Sequence, residues 1–170
     1  MSPQRIETGR LKLIALDLAL LDLSCINYGA VQSHLGANVT RQMHDPDMIY
    51  ALREAHYKAS CDFENHNWYT NWEMLNPELH IIIGSACFKG PPDESGMVEV
   101  GYEVDRTYRN QGYASEAVQA LIQWAFTFDS VKGVIASVEP DNLASKGVLN
   151  KMGMCFQEAS EELEWWLIEK

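Results

Sequence analysis

Residues 97–125 change hydrophobic period within one turn, and this constrains the fold more than any other stretch of the chain. Before the turn Val98, Val100, Tyr102 and Val104 alternate with Glu99, Gly101 and Glu103, the period of a strand with one face in a core. After it Ala114, Ala117, Val118, Leu121, Ile122 and Ala125 form a single stripe at helical spacing. A strand that feeds directly into a helix aims the helix's first free amides, with the positive end of its dipole, at one point. An anion such as a pyrophosphate suits that point. Gly112 permits close backbone approach, and the small Ala114 and Ser115 keep the first helical turn open. The spacing alone fits an ordinary turn with a glycine equally well. No G-x-G-x-x-G follows a first strand and no G-x-x-x-x-G-K-[ST] occurs, so the usual nucleotide-fold signatures are missing.

The flanking sequence supplies the rest of a mixed α and β domain. Residues 11–16 read as a strand, and Asp17 caps a helix carrying Leu18, Leu21 and Ile26. Asp45 before Pro46 starts a helix that runs on through Met48, Leu52, Ala55 and Ala59. Residues 68–75 and 80–88, on either side of the turn Asn76-Pro77-Glu78, read as two strands, and 97–104 completes a meander with them. Residues 134–138 form a strand, 143–152 a helix stopped at Gly153, and 155–158 and 163–168 two closing strands. No repeat, linker or low-complexity tract divides the 170 residues, so a single domain over 1–170 is expected.

Charge narrows the partners. With 24 acidic and 13 basic side chains the chain carries 11 net negative charges, which argues against nucleic acid and anionic membranes and favours cationic partners. Cys25, Cys61, Cys87 and Cys155 form no C-x-x-C and read as buried free thiols, while His34, His44, His56, His66 and His80 show no ligand spacing. No metal is expected. The apolar stretch 11–23 is broken by Lys12, Asp17 and Asp22, which suits neither a signal peptide nor a membrane span, so a cytoplasmic location is expected.

Arg109-Asn110-Gln111-Gly112-Tyr113-Ala114 resembles the [RQ]-x-x-G-x-[GA] pyrophosphate loop of the GNAT (Gcn5-related) N-acetyltransferases. Val98-Glu99-Val100-Gly101-Tyr102 is similar to the E-I-G-Y strand before that loop, and Tyr113-Ala114-Ser115-Glu116-Ala117 to the helix start after it. Asn142 and Ser145, with Lys151-Met152-Gly153-Met154, resemble an N-x-x-S…K-x-G-F segment, and residues 6–11 a T-x-R-L opening strand. These features belong to the branch of RimJ- and RimL-type ribosomal-protein N-terminal acetyltransferases.

The resemblance implies an α+β fold, an αβα sandwich whose mixed, mostly antiparallel, splayed sheet has about six or seven strands with helices on both faces. It implies acetyl-CoA as cosubstrate without a metal, and transfer of acetyl to a primary amine, a protein N-terminus or a small molecule, by direct attack in a ternary complex. The alternative is a non-catalytic acetyl-CoA-binding sensor or structural module of the same fold. Cofactor contacts fall on Val104, on the loop Arg109, Asn110, Gln111, Gly112, Tyr113, Ala114 and Ser115, and on Asn142 and Ser145. Glu99 and Glu103 share a strand face near the reacting end, and either is a candidate proton acceptor. Many family members carry a Tyr seven residues after the helix-start Asn to protonate the leaving sulfur; Leu149 stands there, so Ser145 or water is the candidate substitute. The aromatic stretch 65–72 with Trp165 and Trp166 suits core packing or a homodimer contact better than the wall of an acceptor pocket.

Overall fold

The computed structural model describes residues 4–170. Its framework is one eight-stranded sheet in the order β1-β2-β3-β4-β5-β6-β8-β7. The strands are β1 (Arg5–Glu7), β2 (Lys12–Ala15), β3 (Asn71–Asn76), β4 (Ile81–Phe88), β5 (Met97–Val104), β6 (Gly133–Val138), β7 (Cys155–Ala159) and β8 (Glu164–Glu169). The helices are α1 (Leu18–Ile26), α2 (Tyr28–His34), α3 (Pro46–Cys61), α4 (His66–Tyr69), α5 (Tyr113–Ala125) and α6 (Leu143–Lys151). All neighbouring strands are antiparallel except β5 and β6. The sheet exceeds the expected size because residues 6–11 hold the end of β1 and the turn of a hairpin, β1 against β2, instead of one opening strand.

The central strands are buried on both faces. Leu13, Trp72, Met74, Ile83, Val98 and Val100 pack with Ala117, Val118 and Leu121 of α5 on one side. On the other, Ile14, Leu16 and Ile82 pack with Leu20, Leu21, Tyr28, Val31 and Leu52 of α1, α2 and α3. Helix starts follow the capping residues: Asp17 accepts a hydrogen bond from Leu20 N, and Asp45 from Met48 N, each at 2.9 Å. The short α2 went unforeseen from hydrophobic period, yet Asn27 marks it by accepting from Ala30 N at 3.1 Å.

One element differs in kind. Residues 68–70 were expected to begin a strand but complete α4 and its exit, and β3 starts only at Asn71. Tertiary packing overrides local pattern here: the Trp68 and Trp124 ring centroids lie 4.6 Å apart, and Trp72 Nε1 reaches back to donate to Asn67 O at 3.1 Å. Both tryptophans of the segment, Trp68 and Trp72, are core residues, as is Trp166 on β8. The thiols depart from expectation too, since Cys25 is buried and Cys87 half-buried but Cys61 and Cys155 are exposed.

Candidate active site

The parallel contact between β5 and β6 runs only from Met97 to Glu99, opposite Gly133 to Ile135, and then the strands part. Lys89 N donates to Glu99 O and Asp105 N to Ile83 O, so the odd-numbered residues of β5 exchange hydrogen bonds with β4. The even-numbered Tyr102 and Val104 therefore turn their backbone groups toward β6 where β6 has already diverged. An unsatisfied strand edge results. Arg109 Nε takes the Val104 carbonyl at 2.9 Å, which ties the loop to the strand end and leaves the Val104 N–H and both backbone groups of Tyr102 along the gap.

A groove of about 580 Å³ runs along this edge. Its floor and walls are Tyr102, Glu103 and Val104 of β5, the loop at Arg109, Asn110 and Gly112, the first turn of α5 at Tyr113, Ala114 and Ser115, and α6 from Asn142 to Val148. Asn110 and Gly112 both take left-handed backbone, at φ 60° and 82°, so the loop doubles back and its amides converge on the N-terminus of α5. Such a nest fits a pyrophosphate, and no side chain fills it at Gly112. Gln111 is the exception among the expected loop residues: it does not line the groove, and its side chain donates to Thr107 O at 3.1 Å.

The loop is braced by residues that sequence reasoning did not single out as site residues. Glu116 accepts from Thr8 Oγ1 at 2.6 Å and from the backbone N and Nε of Arg10, both at 2.7 Å. Those bonds hold its carboxyl below the usual range despite its burial. Arg10 in turn donates through Nη1 to Gln111 O at 3.0 Å and lies over the Tyr113 ring at 4.3 Å. The β1–β2 turn is thus clamped onto the nest, and Thr8, Arg10 and Glu116 explain why an opening T-x-R-L accompanies the loop.

At the far end of the groove Asn142 Oδ1 accepts from Ser145 N at 3.1 Å and caps α6, and Tyr102 Oη donates to Ser145 O at 3.3 Å. Asn142 is committed to its helix, whereas the Ser145 hydroxyl makes no hydrogen bond among the described residues. Tyr102, Asn142 and Ser145 also line a second cavity of about 270 Å³ in the splay, with Ser137, Val138 and Leu149. Leu149 is 1% exposed, a core residue in the position of the family's tyrosine.

The two candidate bases differ in setting. Glu99 is paired with Lys89 and accepts from Ser137 Oγ at 2.7 Å, which sets its carboxylate one hydrogen bond from the cavity in the splay. Glu103 lies on the same strand face at the other end, where it lines both the groove and a chamber of about 280 Å³ under α2. Partial burial raises the Glu103 carboxyl pKa, against the pull of Arg41 and Arg109. Its neighbour in the chamber is Glu73, 1% exposed, which sequence reasoning missed. Tyr28 Oη donates to Glu73 at 2.8 Å and Asn71 Nδ2 at 3.0 Å; burial still pushes its carboxyl up to about 7. A strand's sequence offers no sign that one of its polar positions is buried on the face that α1 to α3 cover, and so the signal was absent.

No group of three metal-ligating side chains is found among the described residues, nor a helix long and apolar enough to cross a membrane. The sequence model of the acetyltransferase (GNAT) domain matches residues 15–155. An uncharacterised N-acetyltransferase of Bacillus subtilis, YjdG, is 31% identical over 164 residues, which cover 95% of this chain and 96% of the relative. A putative ribosomal-protein-serine acetyltransferase from Vibrio cholerae superimposes over the full length of both chains with a TM-score of 0.69 at 17% identity. The ribosomal L7/L12 alpha-N-protein acetyltransferase RimL, solved with coenzyme A, covers 98% of both chains with a TM-score of 0.68 at 14% identity.

Proposed function

Since the chain belongs to the GNAT family of N-acetyltransferases, we propose that it transfers the acetyl group of acetyl-CoA to a primary amine by direct attack in a ternary complex. The observation that carries this reading is the continuity of the groove: an amide nest at 110–115, an open β5 edge at Tyr102 and Val104, and an uncommitted hydroxyl at Ser145. In this reading the backbone amides of Asn110 to Ser115 hold the pyrophosphate. Val104 N–H and the Tyr102 backbone hold the pantetheine arm as a strand would. Acetyl-CoA supplies an activated acyl carbon on a thiol leaving group.

The chain's own residues then have three tasks. Glu99, held by Lys89 and Ser137, receives the proton of the attacking amine, directly or through water. A backbone N–H on the free edge of β5 faces the charge that develops on the acyl oxygen. Ser145 donates toward the departing sulfur, which a thiol of pKa about 8.5 does not strictly require. One N–C bond forms, one C–S bond breaks, and the amine proton leaves through the carboxylate. Glu103 is the second candidate base, favoured if the acceptor enters from the chamber.

Two measurements test the reading. Saturating acetyl-CoA should raise the melting temperature of the purified chain, and a panel of small amines and N-terminal peptides should release free thiol with at least one member. Stabilisation without thiol release from any acceptor would return the protein to the sensor reading.

A further inference from the structure

Helix α3 presents a wide face that no other element covers. Its buried side is narrow, with only Leu52 and Ala59 fully enclosed among its 16 residues. Four of the ten exposed large apolar side chains among the described residues fall on or beside this helix: Met43, Tyr50, Tyr57 and Phe63. Tyr50 and Tyr57 are 70% and 66% exposed. Apolar side chains gathered on one surface mark a contact with another molecule.

Their arrangement identifies that molecule. At 3.6 residues per turn Tyr50, Tyr57 and the exposed Cys61 lie within about 20° of one line along the middle of the uncovered face. Arg53 projects to one side of that line, the α1 side, where it lies near Cys25, and Glu54 projects to the other. The exposed charged residues of α3 are Asp47, Arg53, Glu54 and Lys58, which sum to zero, and none of them is in an ion pair among the described residues. A second copy of a chain with 11 net negative charges is repelled by the molecule as a whole. The α3 face is a neutral exception. Two copies related by a two-fold axis running along α3 bring the α1 side of one helix against the far side of the other. Arg53 then meets Glu54 of the partner subunit, symmetry supplies the reciprocal pair, and the tyrosines stack between them. An antiparallel pairing of the same faces sets Arg53 against Arg53 and Glu54 against Glu54, so charge selects the parallel one.

We propose that α3 is a self-association face, on which a second copy of this chain packs with the two α3 helices parallel. Trp68 and Trp72, which the sequence offered as either core or homodimer contact, lie in the core. Helix α3 covers the sheet face opposite α5, so the groove stays open in both subunits. A helix about 24 Å long buries less than a standard interface, which sets a weak dimer, half formed at about 10 to 100 µM.

Sedimentation equilibrium of the whole chain, kept reduced, should show monomer and dimer exchanging in that range; a pure monomer at about 0.5 mM overturns the proposal. Tyr57→Asp and Arg53→Glu should each weaken the dimer by about tenfold or more, and Arg53→Glu combined with Glu54→Arg should restore it. Melting curves by circular dichroism, unchanged at these exposed positions, show that the variants fold. Dimerisation that survives either single change, or that the double exchange fails to restore, overturns the proposal. In the parent chain a short bismaleimide should link the dimer, and Cys61→Ser should abolish the link. The parallel pairing sets the two Cys61 thiols side by side, whereas an antiparallel one parts them by about 20 Å. A dimer that does not link through Cys61, or that links through the exposed Cys155 of β7 instead, overturns the α3 assignment.

Discussion

Gly112 is the residue whose loss would be felt most directly. Its φ of 82° excludes a β-branched side chain, and a Cβ there would also approach Arg10 Nη2 to 3.4 Å. Gly112→Val should abolish the thermal stabilisation by acetyl-CoA and lower the melting temperature of the free protein by several degrees, read in the same thermal scan. Glu73 predicts a pH dependence. Its folded pKa, about 7, stands above the usual carboxylate value, so the folded state binds the extra proton. Its contribution to stability is complete below the unfolded pKa, is lost as pH rises through about 7, and amounts to up to about 3 kcal/mol. Glu73→Gln should therefore gain in melting temperature over the parent between pH 5 and pH 8.5; a constant difference would contradict this. Glycine and the loop around it were legible in the sequence because a strained dihedral leaves a residue-type signature. Glu73 was not, because burial of a strand position depends on what the distant helices cover.

At the scale of elements, the site depends on how β5 leaves the sheet. A Cβ on Gly84 of β4 would collide with the Glu103 carbonyl and stand 2.9 Å from Val104 Cα, so the strands are pinched where the edge opens. Gly84→Ala should move the end of β5 and weaken acetyl-CoA binding by about tenfold or more in a titration, with most of the fold retained. Strands β4 to β6 and helices α3, α5 and α6 were readable from period and caps, since Asp45, Asn142 and Gly153 act locally. That the strand ending at Val104 splays from its neighbour was expected from family resemblance alone, because splay leaves no trace in period; that pairing with β6 stops at Glu99 is seen only in the structure. Residues 68–70 misled for the opposite reason: aromatic residues that favour strands are here drawn into a helical turn by contact with Trp124 and Phe88.

Across the whole molecule, charge is unevenly spread. From Val104 to Gly153, the stretch that lines the groove, five basic residues balance five acidic ones, and all 11 excess negative charges lie elsewhere in the sequence. Glu99 and Glu103, the candidate bases of the proposed function, belong to the acidic remainder, as does Glu73. Rates with cationic acceptors should accordingly fall as salt rises from about 0.01 to 0.3 M, while rates with neutral-tailed amines change little. Acceptor rates that are indifferent to salt would show that the acidity has no steering role.

The alternating edge of β5 carries its own reporter. Glu103 and Asp105 give their amide protons to β4, whereas Tyr102 and Val104 hold theirs toward the gap. Deuterium should therefore enter the free protein at every second amide of one strand, quickly at 102 and 104 and slowly at 103 and 105. A bound ligand acting as an extra strand should slow only the fast pair. Isotope uptake at two backbone positions would then track occupancy of the groove without any assay of turnover.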